Sequence, residues 1–426
     1  MHATLFAALA AALLCSTSAI AQPIIVTNAT LIDGTGAPPQ PGVTIVMDGG
    51  RIAEIVQVQG GSTDKILAPT DATIVDLAGK FVTPGIINGH GHVGRNRDLQ
   101  LRQYALYGVT TTTSMAWDPD DIAEYKAAQK RGELKGARVL TVKYRFMSAP
   151  MTPGSEYKTP EEARAKVDEI AASADIIKVW IDPQGGRHPR LTPEYTAAVM
   201  EQAKKHNLLR GAHIVELADA RRIVDQGVNV LLHNVRDQEI PDDFIATLKA
   251  KNVSVISTLA REEGLFIYGG GPNGAPFGDN PLFQKGLSPQ QAANLAKKRE
   301  EQANDPAKPR WLRMFDMDKK NLKKLADAGV RFGFGTDSGG APDRYFIQGW
   351  FEHRQMELMR DAGLTPMQII QSFSKNNAEM FDIDKDFGTL AKGKAADLLV
   401  LARNPLDDIT NMRSIEAVYL GGKKFE

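Results

Sequence analysis

The sequence of 426 residues contains a single cysteine, no excess of either charge and, after its N-terminal stretch, no apolar run long enough to cross a bilayer. Each absence excludes something. With Cys15 alone, neither an intramolecular disulfide nor a thiolate metal cluster can form. Lysine plus arginine equals aspartate plus glutamate at 51 each, so no net field recruits nucleic acid or an anionic membrane. A small, roughly neutral substrate or a peptide suits that balance better, and no nucleic acid partner is expected. What is present is apolar material, 42% of residues, in a chain long enough for one large α/β domain with something small beside it.

Residues 1–21 carry no charged side chain apart from His2, and Leu5 to Leu14 is an alanine- and leucine-rich block of signal-peptide length. Ala19-Ile20-Ala21 offers the small-x-small cleavage pattern before Gln22. The expectation is a signal peptide over 1–21, cut after Ala21, and a periplasmic or secreted mature chain without Cys15. Lipidation at Cys15 is not expected, because Leu14 stands where a lipoprotein signal has a small residue.

Beyond that point the chain reads as two β-rich ends around a different middle. Ile24-Ile25-Val26, Val43 to Met47, Arg51 to Val56 and Ala72 to Leu77 are rich in β-branched residues and separated by Gly, Pro and Asp, with Asp48-Gly49-Gly50 as a tight turn. Ala396 to Leu401 and Ile415 to Leu420 repeat the pattern near the C-terminus. Residues 22–83 plus 384–426 are therefore expected to form one β-sandwich domain. The middle, 84–383, alternates apolar strands with helical segments. Strands are predicted at 84–90, 109–115, 138–144, 174–181, 208–213, 228–233, 253–258 and 331–336. Helix starts are signalled by Thr159-Pro160-Glu161-Glu162, Thr192-Pro193-Glu194 and Leu364-Thr365-Pro366. Eight such units predict an α/β fold of the (β/α)8 TIM-barrel type, whose chemistry sits at the C-terminal ends of the strands. An open doubly wound sheet is the alternative.

Several polar residues fall at those ends. Pro84 to Gly94 is an apolar run closing on His90-Gly91-His92, and strand alternation puts both imidazoles on one face. His213 closes the strand from Leu208, His233 the strand from Val228, and Asp337 follows the eighth. Lys178 stands inside the apolar strand Asp175 to Ile181, where a cation is costly unless something compensates it. Taken singly, each has an ordinary structural role: a hydrogen-bonded histidine, a helix N-cap, a lysine reaching the rim. Four histidines, one lysine and one aspartate at the same mouth of one barrel point instead to a metal centre. Imidazoles with few carboxylates suit a borderline cation such as zinc over calcium or magnesium.

Asn28-Ala29-Thr30-Leu31-Ile32-Asp33-Gly34, the run from Asp76 through Thr83-Pro84-Gly85 into His90-Gly91-His92, and Gly388-Thr389-Leu390-Ala391-Lys392-Gly393-Lys394-Ala395-Ala396-Asp397-Leu398 form a distinctive set. On these motifs the chain resembles the amidohydrolase superfamily of metal-dependent hydrolases over essentially everything after residue 21. It is most similar to the imidazolonepropionase-related branch that includes Xaa-Pro dipeptidases and ochratoxin-hydrolysing amidases. Imidazolonepropionase itself fits poorly, because it uses a single metal and no carboxylated lysine. The resemblance implies two divalent ions of the zinc type, one held by His90, His92 and Asp337 and the second by His213 and His233, with Lys178, carboxylated by carbon dioxide, bridging the two. It implies cleavage of an amide or peptide bond in a dipeptide or N-acyl amino acid by a metal-bridging hydroxide, with Asp337 moving the proton. The alternatives are a lactonase or phosphotriester hydrolase on the same centre, and, from another class, a metal-free binding protein that keeps the fold.

Selectivity is expected in the loops. Tyr144 and Arg145 after the third strand, and Arg187 and His188 after the fourth, are the candidates for a substrate carboxylate. Gly264 to Gly286, rich in glycine, is a candidate lid, surface loop or contact in a homo-oligomer.

Overall fold

The computed structural model describes residues 22–57, 71–116, 118, 121–147, 159–183, 189–270, 280–341 and 344–426. The expected signal peptide, Arg187, His188 and the centre of the glycine-rich insertion lie outside the described residues. The N-terminal strands are β1 (Ile24–Leu31), β2 (Gln40–Asp48), β3 (Arg51–Gln57), β4 (Thr73–Asp76) and β5 (Phe81–Pro84). Next come β6 (Ile86–Asn88), β7 (Gly91–His92), β8 (Val109–Ser114), β9 (Arg138–Thr141), β10 (Arg145–Met147) and β11 (Ile176–Trp180). They are followed by β12 (Leu209–His213), β13 (Val230–Leu232), β14 (Ser254–Ser257), β15 (Phe332–Phe334) and β16 (Ser338–Gly339). β17 (Leu398–Leu401), β18 (Ile415–Leu420) and β19 (Lys423–Phe425) end the chain.

Both ends share one sheet in the order β19-β18-β17-β5-β1-β2-β3, with β4 beside β1. The sheet curls on itself. Ala396 N–H donates to Gly50 O at 3.0 Å, so the β2–β3 turn meets the entrance to β17. Val26, Ile45, Ile52, Val82, Leu398 and Tyr419 pack together between the two halves.

The middle is α/β, with parallel strands running β6-β8-β9 and then β10-β11-β12-β13-β14-β15. Further backbone bonds complete the ring between these sheets. Asp175 N–H donates to Thr141 O at 2.9 Å, Gly335 to Ser257 O at 3.0 Å, and Gly89 to Phe334 O at 2.9 Å, so the first strand meets the last. β7 and β16 then pair in parallel above that junction. This is the (β/α)8 arrangement rather than the open alternative.

The third strand differs from expectation. The run predicted as 138–144 is strand only over β9 and ends at Thr141, with β10 starting beyond it at Arg145, because Asp118 Oδ2 accepts the Lys143 N–H at 2.9 Å and Lys143 turns to φ 56°. Nothing in the run itself is a breaker; the capture comes from the preceding loop. The signalled helices form where threonine can cap them: Pro160–Ile170 after Thr159, with Glu162 closing a capping box, Pro193–Lys205 after Thr192, and Pro366–Gln371 after Thr365. Among the described residues no helix is long and apolar enough to cross a membrane.

Candidate metal centre

The six polar residues at the strand ends converge in a buried cluster. His90 follows β6 and its Nε2 lies 3.2 Å from Lys178 Nζ on β11. His92 Nε2 lies 2.5 Å from Asp337 Oδ1. The rings of His90 and His233, and of His233 and His213, are each 4.4 Å apart. Ligating atoms of His90, His233 and Asp337 all fall within 4.8 Å of one another. Two of the six have left-handed backbones, His233 at φ 74° and Asp337 at φ 55°. That conformation costs about 1–2 kcal/mol in an L-residue and is typical of positions where the surrounding structure holds a side chain for a task.

Close backbone approach makes the convergence possible. A Cβ on Gly335 would stand 2.6 Å from His90 Cβ, and one on Gly91 would stand 2.4 Å from Thr112 Oγ1. The glycines at 89, 91 and 94 share the Gly-x-Gly-x-x-Gly spacing of dinucleotide loops, but here they let three strands crowd around two histidines.

The protonation states favour metal binding. Burial, reinforced by Lys178, drives the His90 imidazole well below the usual histidine range, and burial does the same to His233. His92 falls to about 4 through burial, against the opposing pull of Asp337, and His213 to about 3. Burial also takes the Lys178 ammonium well below its usual range, Asp337 opposing and Arg145 and Arg344 assisting. Burial alone would raise the Asp337 carboxyl; Arg344, His92 and His90 outweigh it and hold it well below the usual carboxylate range. Burial thus disfavours the charged form of all four imidazoles and of the Lys178 amine, while Asp337 is favoured as a carboxylate.

The donor set fits divalent cations. His233 Nδ1 meets Thr258 Oγ1 at 2.5 Å, which leaves Nε2 buried with no hydrogen-bond partner. His213 Nε2 is likewise buried without one, 3.8 Å from Asp182 Oδ2. Two unpartnered imidazole nitrogens in a dry pocket are costly alone and are what a cation would satisfy.

Sequence reading missed the groups around the cluster. Asp337 Oδ1 accepts from Arg344 Nη2 at 3.1 Å, and Oδ2 lies 3.5 Å from Arg261 Nε. Glu262, fully buried, accepts from Arg261 and pairs with the buried Arg236 at 3.1 Å. Trp180 stacks on His213 with ring centroids 4.1 Å apart. The available signal was position: Arg261 follows β14 by four residues and Arg344 lies in the loop beyond β15 and β16. Of the carboxylate candidates, Arg145 lines the cavity over the centre, whereas Tyr144 packs edge-on to Phe146 beneath Lys166, against the core between strand and helix. The described part of the glycine-rich insertion is anchored, with Phe266, Ile267 and Tyr268 buried and Tyr268 N–H donating to Gln302 Oε1 at 2.8 Å. Those residues are core, not lid.

Comparison with known proteins gives three kinds of likeness. A family model described as amidohydrolase matches residues 81–424. The enamidase of Eubacterium barkeri is 29% identical over 181 residues, covering 38% of this chain and 42% of the enamidase. The ochratoxinase of Aspergillus niger is 24% identical over 268 residues, 62% of this chain and 46% of the ochratoxinase. The chain thus spans less than half the length of these curated relatives. A solved Xaa-Pro dipeptidase with bound methionine has the same fold, at a TM-score of 0.73 and 20% identity, covering 95% of this chain and 100% of the dipeptidase.

Proposed function

This chain belongs to the amidohydrolase family, and from that premise we propose that it is a binuclear metal-dependent hydrolase of amide bonds in small substrates, dipeptides or N-acyl amino acids. The observation that carries the reading is the convergence of four buried imidazoles on Lys178 and Asp337, with ligand atoms of His90, His233 and Asp337 within 4.8 Å of one another. His90, His92 and Asp337 would hold one cation, His213 and His233 the other. When bound, divalent ions, zinc by this donor set, lower the pKa of water and polarise a scissile carbonyl.

Lys178 has the chemistry of a bridging ligand. Burial takes its ammonium well below the usual range and so favours the unprotonated amine, the form that adds to carbon dioxide, forming an N–C bond and releasing one proton to give a carbamate. An anion there compensates positive charge at a position where an ammonium would be isolated.

Asp337 carries the proton. Held ionised by Arg344 and the two histidines, its carboxylate accepts a proton from the attacking water and returns it to the departing amine nitrogen. The water oxygen bonds to the acyl carbon, the C–N bond breaks, and a carboxylate and an amine leave. The amide-cleaving names of the relatives, enamidase and ochratoxinase, support the same reaction class.

The test is a panel of dipeptides, N-acyl amino acids, lactones and phosphotriesters offered to zinc-loaded protein beside Asp337→Asn. Amide cleavage that disappears in Asp337→Asn is the expected result. Brisk lactone or phosphotriester turnover with no amide cleaved would overturn the proposal.

A further inference from the structure

Three charged residues follow one another in the short helix Leu259–Glu263, just beyond β14: Arg261, Glu262 and Glu263. Successive positions of a helix point about 100° apart, so the three side chains meet three different surroundings. Arg261 reaches the centre, its Nε 3.5 Å from Asp337 Oδ2. Glu262 accepts from Arg261 Nη1 at 2.9 and 3.0 Å and pairs with the buried Arg236 at 3.1 Å. Glu263 meets the helix Trp350–Asp361, where it accepts from Arg354 Nε at 2.8 Å and from Arg354 Nη2 at 2.6 Å.

A helix of five residues is too short to persist on its own hydrogen bonds, so its place is set by what it touches. Two adjacent residues of the longer helix hold it at both ends. Gln355 Oε1 accepts the Ala260 N–H at 2.7 Å while its Nε2 donates to Ser257 Oγ at 3.2 Å, which fixes the entrance from β14. Arg354 fixes the exit, gripping both oxygens of Glu263. Arg354 is braced in turn, because its Nη1 donates to Glu357 Oε2 at 2.6 Å and Glu357 pairs with Arg413 from the segment between β17 and β18. Arg413, Glu357, Arg354 and Glu263 thus alternate in sign, with both carboxylates buried. Buried ion pairs gain little stability over apolar residues of the same volume, since desolvation offsets the attraction. What a bidentate arginine–carboxylate pair supplies is geometry.

We propose that Glu263 and Arg354 are positioning residues for the proton transfer at Asp337: their bidentate pair sets the short helix so that the Arg261 guanidinium stands against Oδ2. The role of Asp337 in this inference rests on the amide-hydrolase reading above. Neither Glu263 nor Arg354 lines the cavity over the centre, whose wall there is Arg261 and Leu265. Oδ1 of Asp337 is held by His92 at 2.5 Å and Arg344 at 3.1 Å, so Arg261 supplies the cation on the other oxygen. A turn of the short helix would carry that cation away. Misplacement of a group by about 1 Å costs up to about a hundredfold in rate.

The decisive variant removes the pair without stranding a charge. In Glu263→Leu/Arg354→Met the Glu357 and Arg413 charges still balance and apolar side chains fill the space, so Tm should stay near that of the unaltered protein. With zinc-loaded protein and the best-cleaved amide of the panel above, kcat should fall about ten- to a hundredfold. KM should change little, because the lost interaction acts in the transition state. Arg261→Met should give a loss of the same order, and combining it with the double variant should add nothing, since the pair acts through Arg261. Arg354→Lys, which keeps the charge and loses the fork, should fall between. Crystal structures of the metal-free proteins supply the second readout: Arg261 Nε should lie about 1 Å or more further from Asp337 Oδ2 in the double variant than in the unaltered protein.

An unmoved Arg261 or unchanged kcat in folded Glu263→Leu/Arg354→Met overturns the inference. So does a loss carried mainly by KM, or one that multiplies with that of Arg261→Met. Should the double variant not fold, Arg354→Lys decides, and full kcat with Arg261 unmoved overturns the inference equally. If the unaltered protein cleaves no amide, the hydrolase reading falls while the metal-free structures still show whether the pair sets Arg261. Amide turnover with Arg261 unmoved does the reverse.

Discussion

The side-chain amide of Asn88 donates to the Glu352 carboxylate at 2.7 Å, and that one contact ties the strand carrying the His90-Gly91-His92 turn to the helix behind the last barrel strand. The same carboxylate accepts from Ser338 Oγ at 2.6 Å and from Gly349 N–H at 2.5 Å, while Asn88 Oδ1 accepts the His90 N–H at 3.0 Å. Glu352 therefore holds the backbone on both sides of the centre. Replacing it with alanine leaves at least three buried donors unmatched, at about 1–3 kcal/mol each. We expect Glu352→Ala to lower Tm by several degrees and reduce bound zinc. Wild-type zinc content and Tm in Glu352→Ala would remove Glu352 from this role.

Lys178→Ala should reduce kcat/KM at least about a hundredfold, since even the outer partners of metal ligands are worth about ten- to a hundredfold. If the lysine acts as a carbamate, a short carboxylic acid in the buffer should restore part of the activity by occupying the vacated space. Full turnover by Lys178→Ala without added acid would contradict the bridging role.

Removal of metal by a chelator should abolish activity and lower Tm, and zinc should restore both. Binding to the folded state at a hundred times its dissociation constant stabilises by about 2.7 kcal/mol. Calcium or magnesium should fail to substitute, because the centre is built from imidazoles. Unchanged Tm and activity after complete removal of metal would instead favour a metal-free protein.

Asp318 provides a pH test away from the ligands. Burial, aided by Glu262, raises its carboxyl to about 7 against Arg236, Asn234 and Arg261, and Asn234 Nδ2 donates to it at 2.5 Å. A carboxyl whose folded pKa lies above its unfolded value binds a proton more tightly in the folded state, so stability is lost as pH rises from about 4 to about 7 and levels off above. The free-energy equivalent of that rise is at most about 4 kcal/mol. The Tm advantage of Asp318→Asn over the unaltered protein should therefore grow between pH 5 and pH 7 and then hold constant. An advantage that stays constant across that window would show the carboxyl to be ionised throughout.

Much of this arrangement is legible in sequence because it depends on local spacing. β-branched runs, glycine turns and threonine caps are decided by the backbone preferences of neighbouring residues, and they set eight strand ends in order. His90, His92, Lys178, His213, His233 and Asp337 stand on or beside those ends, so their convergence follows once the strands form a ring. The break at Lys143 was not legible, because the competing acceptor, Asp118, lies in another loop.

The sequence by itself determined the strand order, the caps and the chemical identity of the six side chains at the mouth. Tertiary structure alone decided their protonation and their surroundings. An even balance of charge says nothing of where arginines gather, and Arg95, Arg145, Arg261 and Arg344 meet in one cavity only because distant parts of the chain fold to one mouth. The same enclosure disfavours the charged forms of four imidazoles and Lys178, since desolvation depends on what packs around a group and not on its neighbours in the chain. In Pro84 to Gly94 the residues specify two histidines at a strand end; the closed ring around them brings His90 beside Lys178 and His92 beside Asp337.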